Sequence, residues 1–330
     1  MDKRLQWIDQ ARGFSIFLVV WGHNFPTIEP YIYSFHVPLF FFIAGMFHPE
    51  QITVRGTVKR AKMILIPYFI WATALYLFWL FVGRHYGDSS EITLSPIDNL
   101  IGVFYAQGGQ QYMDWGIPLW FLPCIFLVYF FFGILKKIKN TRLYYISVAA
   151  VVLLGILWTK IIGIKLPWSI DVAMVALAFY CVGNVLKAKM ISVEKKKSIL
   201  WFLFLFAAHI GLFLLNTEKI DMYRSIYGIP TYFLLSGLCG SIAYVLFFKL
   251  VPIFKPLSYL GKNSIVILAT HLRALTVIKL ILLLVLGITV FQFSEIEKFI
   301  LSIFQILLAI PIIWFVNKYI PIANGTIKKK

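Results

Sequence analysis

Apolar runs long enough to cross a bilayer recur along the chain at residues 8–25, 32–48, 63–83, 117–135, 143–159, 168–186, 198–216, 228–248, 263–287 and 298–317. Backbone in hydrocarbon must satisfy its own N–H and C=O groups, and runs of this length do so as helices. The sequence therefore predicts an all-α polytopic membrane protein of about ten transmembrane helices. With 60% apolar and only 14% charged residues among 330, little chain is left over, so 1–330 is expected to be a single integral-membrane domain. The same composition excludes a disordered chain and a disulfide-stapled secreted scaffold. Cys124, Cys181 and Cys239 sit inside apolar runs without metal-ligand spacing and read as core residues. Lys3 and Arg4 ahead of an apolar stretch imitate a signal peptide, but Asp9, Arg12 and His23 interrupt it, which suits a retained first span.

Sidedness follows from Lys and Arg near span ends, which are held on the cytoplasmic side. One set of alternate connections carries 22 of them and the opposite set five, Arg84, Lys160, Lys165, Lys219 and Arg224. Both termini are accordingly expected in the cytoplasm. The net charge of +17 is thus spread over every inner loop, as orientation and anionic lipid require, and carries no nucleic-acid signal. The long outer connection, residues 84–116, combines Asp88, Glu91, Asp98 and Asp114 with Gln107, Gln110, Gln111, Tyr112 and Trp115. Such residues suit sugar hydroxyls and ring faces, or equally a solvated loop under an interfacial aromatic belt. No internal repeat is visible, which weighs against a repeat-built transporter.

Ionisable residues inside apolar spans are costly and mark candidate sites. At 100° per residue, Arg12 to His23 is three turns plus about 20°, and Asp9 to His23 falls about 40° short of four turns. These three share one stripe, running through Ile16 and Val19, with Arg12 and His23 about 16 Å apart along the axis. A stripe of this kind should face a wet cavity. His23 is expected as a general base or nucleophile, against the plainer role of a buried histidine bonded to a neighbouring carbonyl. Arg12 either meets a phosphate or thioester carbonyl or snorkels to the inner headgroups, and Asp9 is placed to neutralise it. His36, at the entry of the second span, is expected near the outer surface. In the ninth span His271, with Arg273 two residues on, is hard to reconcile with a lipid-facing position. Asp171 is either an N-cap or a partner for a cavity cation.

Arg4, Asp9, Arg12, Gly13, Val20, Gly22 and His23 resemble the first-helix signature of the membrane acyltransferase type 3 family, including its arginine, ten intervening residues and histidine. The stretch from Phe35 to Gly45 is similar to that family's second-helix motif in the fucose 4-O-acetylase-like branch. Further matches are the basic cluster before Pro67 and Tyr68, the run Leu119–Leu122, Gly183 with Asn184, and Gly261–Ser264 with His271. The resemblance implies an enzyme of the cell membrane that moves an acyl group, usually acetyl, from cytoplasmic acyl-CoA to a hydroxyl of an envelope or exported carbohydrate. It implies His23 as the catalytic histidine and Arg12 as the motif arginine. Lys59, Arg60 and Lys62 stand where the family often carries Arg, two residues, Arg, and so are the expected CoA contacts. Lysine there meets a phosphate as a point charge only. No bound cofactor is expected, only acetyl-CoA or another acyl-CoA as co-substrate, and no soluble esterase-like domain of the longer members.

The implied partners are the carbohydrate acceptor, the lipid bilayer and proteins of envelope polysaccharide synthesis, with no nucleic acid. Arg12, Trp120 and His271 are candidates for stabilising the oxyanion, with His36 and Arg273 as further substrate or oxyanion candidates. The alternative reading is a transporter or flippase for a lipid-linked sugar, using the same stripe as its path.

Overall fold

The computed structural model describes residues 5–85, 94–288 and 290–327. The helices are α1 (Gln6–Gly22), α2 (Glu29–Tyr33), α3 (His36–Met46), α4 (Val54–Phe81), α5 (Pro96–Tyr105), α6 (Gln110–Met113), α7 (Phe121–Leu135), α8 (Thr141–Ile161), α9 (Ile170–Ser192), α10 (Lys195–Leu215), α11 (Pro230–Leu250), α12 (Lys255–Lys262), α13 (Ser264–Leu286) and α14 (Glu295–Tyr319); α5, α6 and α12 lie between the apolar runs, the first two within the outer connection 84–116. Strand in the described residues is confined to a two-residue antiparallel ribbon, β1 (Ile220–Asp221) against β2 (Ile226–Tyr227).

Among the described residues, eight helices are long and apolar enough to cross a membrane: α4, α7 with its preceding 3-10 turn, α8, α9, α10, α11, α13 and α14. The chain is thus an all-α polytopic membrane protein. The first two expected spans are shorter than the rest. α1 has 17 residues, and the run 32–48 is broken at Phe35, whose φ of −145° and ψ of −20° separate α2 from the 11-residue α3. α4 instead begins nine residues before its apolar run. Its first turns hold Arg55, Lys59, Arg60 and Lys62, good helix formers that hydropathy alone does not count, and Thr53 caps it by accepting from the Gly56 N–H. Pro38 and Pro123 fall in the first turns of α3 and α7, where a missing N–H breaks no helical bond.

Two glycine crossings hold α1 and α3 in place. A β-carbon on Gly13 would overlap the Leu257 carbonyl and one on Gly261 the Asp9 carbonyl, so α1 and α12 touch backbone to backbone. The same reciprocity joins Gly45 to the Tyr180 carbonyl and Gly183 to the Phe42 carbonyl, where α3 crosses α9. Between apolar helices in lipid, close approach at small residues is a main source of association. Asn184 Nδ2 reinforces the second crossing by donating to the Gly45 carbonyl at 3.1 Å, and Ser15 Oγ ties α1 to α3 by donating to the His36 carbonyl at 2.6 Å. α9 lies at the centre, with 67% of its apolar window buried, whereas α10 lies at the edge with 11%.

Candidate active site

Fixing α1 and α3 at these crossings opens a cavity of about 840 Å³ along the polar stripe of α1. Asp9, Arg12, Ile16, Val19 and His23 all line it, so the stripe faces a cavity rather than lipid. At the Arg12 end, Arg60 of α4, Lys187 of α9 and Lys262 of α12 join the lining. At the His23 end the wall is made by Tyr33, His36, Trp120 and the segment Asp221–Tyr223.

His23 is one half of a pair. His271 Nδ1 lies 3.0 Å from the Ile267 carbonyl. That oxygen can only accept, so in the neutral ring the proton is on Nδ1 and Nε2 is bare. His271 Nε2 lies 3.0 Å from His23 Nδ1, so His23 donates from Nδ1 and its own Nε2 is left with a free lone pair. A frame surrounds the pair. Asn24 Nδ2 donates to Gln305 Oε1 and Ser302 Oγ, both at 2.8 Å, and Gln305 Nε2 donates to the His271 carbonyl at 3.0 Å. α14 thereby locks the residue after His23 to the backbone of its partner. Ser302 and Gln305 are fully buried. Their spacing of three within an apolar run is the signal that could have revealed them, since polar residues so spaced share a helix face.

The other expected residues separate into groups. His36 lines the cavity, and its Nδ1 donates to the Ile32 carbonyl at 2.7 Å, leaving Nε2 as an acceptor. Of the basic trio, Arg60 lines the cavity with its guanidinium 5.8 Å over the Tyr129 ring and its buried Nε without a hydrogen-bond partner among the described residues. Lys59 and Lys62 are exposed and do not line it; Lys187 and Lys262 do. Arg273 is directed elsewhere, donating to the Asp114 carbonyl at 2.9 Å. Two residues beyond His271 is about 200° around the helix, and Arg273 does not line the cavity.

Asp171 braces loops outside the cavity, accepting from the Leu166 N–H at 3.3 Å and from Ser225 Oγ at 2.5 Å. In the outer connection, Asp88 and Glu91 lie outside the described residues. Asp114 accepts from the Trp79 indole at 2.7 Å and Gln110 at 3.2 Å, so these polar groups brace the loop.

Asp221 and Tyr223 were not anticipated. The Asp221 side chain is 7% exposed and sits 3.6 Å from Arg224 Nε. Burial raises its carboxyl to about 6, against the opposing pull of Arg224 and Lys219.

The cavity of this helical membrane protein thus runs from a cluster of cations to His23, which is hydrogen-bonded to the buried His271. The chain belongs to the acyltransferase 3 family: the profile of that family's acyltransferase domain matches residues 5–320. A comparison with curated proteins found no match. The protein is therefore a membrane acyltransferase, and its family decides for an enzyme over a carrier.

Proposed function

We propose that the enzyme transfers an acetyl group from acetyl-CoA to a hydroxyl of a cell-envelope or exported carbohydrate, in the cytoplasmic membrane, with His23 as general base. The carrying observation is His23 on the cavity wall, hydrogen-bonded through Nδ1 to the buried His271 behind it, which frees Nε2 of His23 to take a proton.

Coenzyme A is polyanionic, and Arg12, Arg60, Lys187 and Lys262 supply positive charge at one end of the cavity. The excess of Lys and Arg on one set of connections supports a cytoplasmic position for that end. Arg12 lies about 16 Å along the helix from His23, a separation suited to a pantetheine arm with its phosphates at one end and its thioester at the other. The acceptor enters from the opposite end. His23 Nε2 removes the hydroxyl proton as the oxygen attacks the thioester carbonyl. The hydrogen bond to His271, itself anchored on Ile267, holds the imidazolium. Collapse of the tetrahedral intermediate forms the ester, breaks the C–S bond and expels the thiolate of CoA, which takes the proton from Nε2.

Among the oxyanion candidates, His271 and His36 spend their Nδ1–H groups on the Ile267 and Ile32 carbonyls, and Arg12 sits three turns away. The Trp120 indole N–H, on the cavity wall, is the remaining donor. Direct attack requires a ternary complex, whereas ping-pong kinetics would indicate an acetyl-His23 intermediate. Enzymes that assemble the envelope polysaccharide would supply the acceptor.

The test is a proteoliposome assay with labelled acetyl-CoA and an oligosaccharide acceptor. Wild type yields labelled ester and His23→Ala, correctly inserted, yields none. Ester formation by that variant at the wild-type rate rejects the assignment.

A further inference from the structure

We propose that Gln305 is a positioning residue for the acyl transfer: it grips the backbone beside one histidine of the pair and the side chain following the other, and so fixes the hydrogen bond between their rings. The inference rests on the acyl-transfer reading above and names a residue that does not itself line the cavity.

His23 needs such support because of where it stands. It is the C-cap of α1, tied back into the helix through its N–H to the Val19 carbonyl at 3.2 Å. Phe25 then takes a φ of 53°, a left-handed conformation uncommon for a bulky residue, and Pro26 follows, so the helix does not run on to hold the ring. Helix ends open more readily than helix interiors. The restraint comes instead from α14, at steps of three or four residues. Glu295 Oε2 accepts from the Thr27 N–H at 2.8 Å, Phe299 packs edge-on against Trp21 with ring centroids 5.2 Å apart, and Ser302 and Gln305 both accept from Asn24.

Gln305 differs from the other members of this face because it reaches both histidines. The His271 carbonyl can only accept, so the amide must turn its Nε2 to that oxygen, at 3.0 Å, and its Oε1 to Asn24 Nδ2, at 2.8 Å. One buried amide thus spans from the residue after His23 to the backbone of His271, whose rings meet at 3.0 Å. Misplacing a reacting group by about 1 Å can cost on the order of 100-fold in rate. Without Gln305, Asn24 still has Ser302 Oγ at 2.8 Å and the Lys298 carbonyl at 3.2 Å to donate to, so removing the amide loosens the pair and strands no donor of Asn24.

The test measures ester formation by the full chain in proteoliposomes, and the His23 tautomer from the ring-nitrogen shifts of protein labelled with nitrogen-15 histidine in micelles. The His23 signals are those missing from His23→Ala. Gln305→Leu, close in bulk, should lower kcat about 20-fold with both KM values changed less than twofold, and should turn a single Nδ1–H tautomer into a mixture. Gln305→Glu, in the neutral form that burial favours, carries one acceptor and one donor in the same places and should keep about a third or more of the wild-type kcat at pH 6. In the His271→Phe background no ring contact is left to set, so Gln305→Leu should cost less than about twofold more. A packing or folding defect would cost the same in both backgrounds. That equality, a wild-type rate in Gln305→Leu, or equal losses in the Leu and Glu variants overturns the proposal. A tautomer mixture in Gln305→Leu with no ester from wild type leaves Gln305 as the residue that sets the pair and strikes the acyl-transfer reading. Ester formation with rate and tautomer unmoved by Gln305→Leu does the reverse.

Discussion

The two ends of the cavity are built from opposite chemistry. One gathers Arg12, Arg60, Lys187 and Lys262 from four different helices; the other sets Asp221, two imidazole acceptors and three aromatic rings around His23. On the proposed reading, the polyanionic donor would be drawn to the first of these mouths and the acceptor would enter by the second. The reacting atoms need meet only at the histidine pair. That division would let the proposed charged donor be handled inside apolar surroundings. On that reading its charge would stay at the cation-lined end, and only a thin uncharged arm would advance.

The sharpest way to break this picture is at the junction. His23→Ala should lower kcat by about three orders of magnitude, at the upper part of what a positioned base supplies, with both substrates still bound. His271→Phe keeps the ring's bulk but removes the Nε2 acceptor, freeing the His23 tautomer and rotation. It should lower kcat about 100-fold while the KM of each substrate changes less than twofold. An equal rise in either KM would make His271 a binding group instead. At the cationic end, Arg60→Ala should raise the KM for acetyl-CoA about tenfold with kcat nearly constant, whereas Lys59→Ala and Lys62→Ala change it less than twofold. If all three behave alike, the cations act as a diffuse field and the cavity wall has no special member.

What could be read from the sequence divides along the same line. The stripe Asp9–Arg12–His23 was legible because ionisable residues in an apolar helix carry their own geometry: 100° per residue places them on one face and on a cavity. The histidine pairing was not, because His271 lies 248 residues away and only the packing of α1 and α13 brings it to 3.0 Å. Gly13, Gly45, Gly183 and Gly261 stood out as motif glycines, but their role as two reciprocal backbone crossings emerges only in the packed helices. Among the cations, the inner loops could be counted as positive, yet which of Lys59, Arg60 and Lys62 turned inward depended on the unanticipated early start of α4. Asp221 had no signature at all. One acidic residue in a short connection resembles any solvated loop residue until the β1–β2 ribbon folds it into the cavity.

The smallest expected effects concern pH at the acceptor end, and they separate the two ends without altering the histidines. Burial holds the Asp221 carboxyl at about 6 rather than its ordinary 3.8. As pH falls through 6 the group becomes neutral, loses one acceptor and its charge, and the KM for the acceptor should rise several-fold. The profile should flatten in Asp221→Asn, while the acetyl-CoA KM shows no matching dependence on that residue. Stability should move the other way. A folded-state value above the unfolded one means that the ionised carboxylate opposes folding at neutral pH and that this penalty is relieved as the pH falls from 6 towards 4. Asp221→Asn should therefore melt slightly higher than wild type at pH 7, with the difference shrinking near pH 4. A variant that is more stable yet binds its acceptor less well would identify the buried carboxylate as a group retained for recognition. A lower melting temperature at pH 7 would instead make the Arg224 ion pair a structural contact and remove the contrast between the two ends.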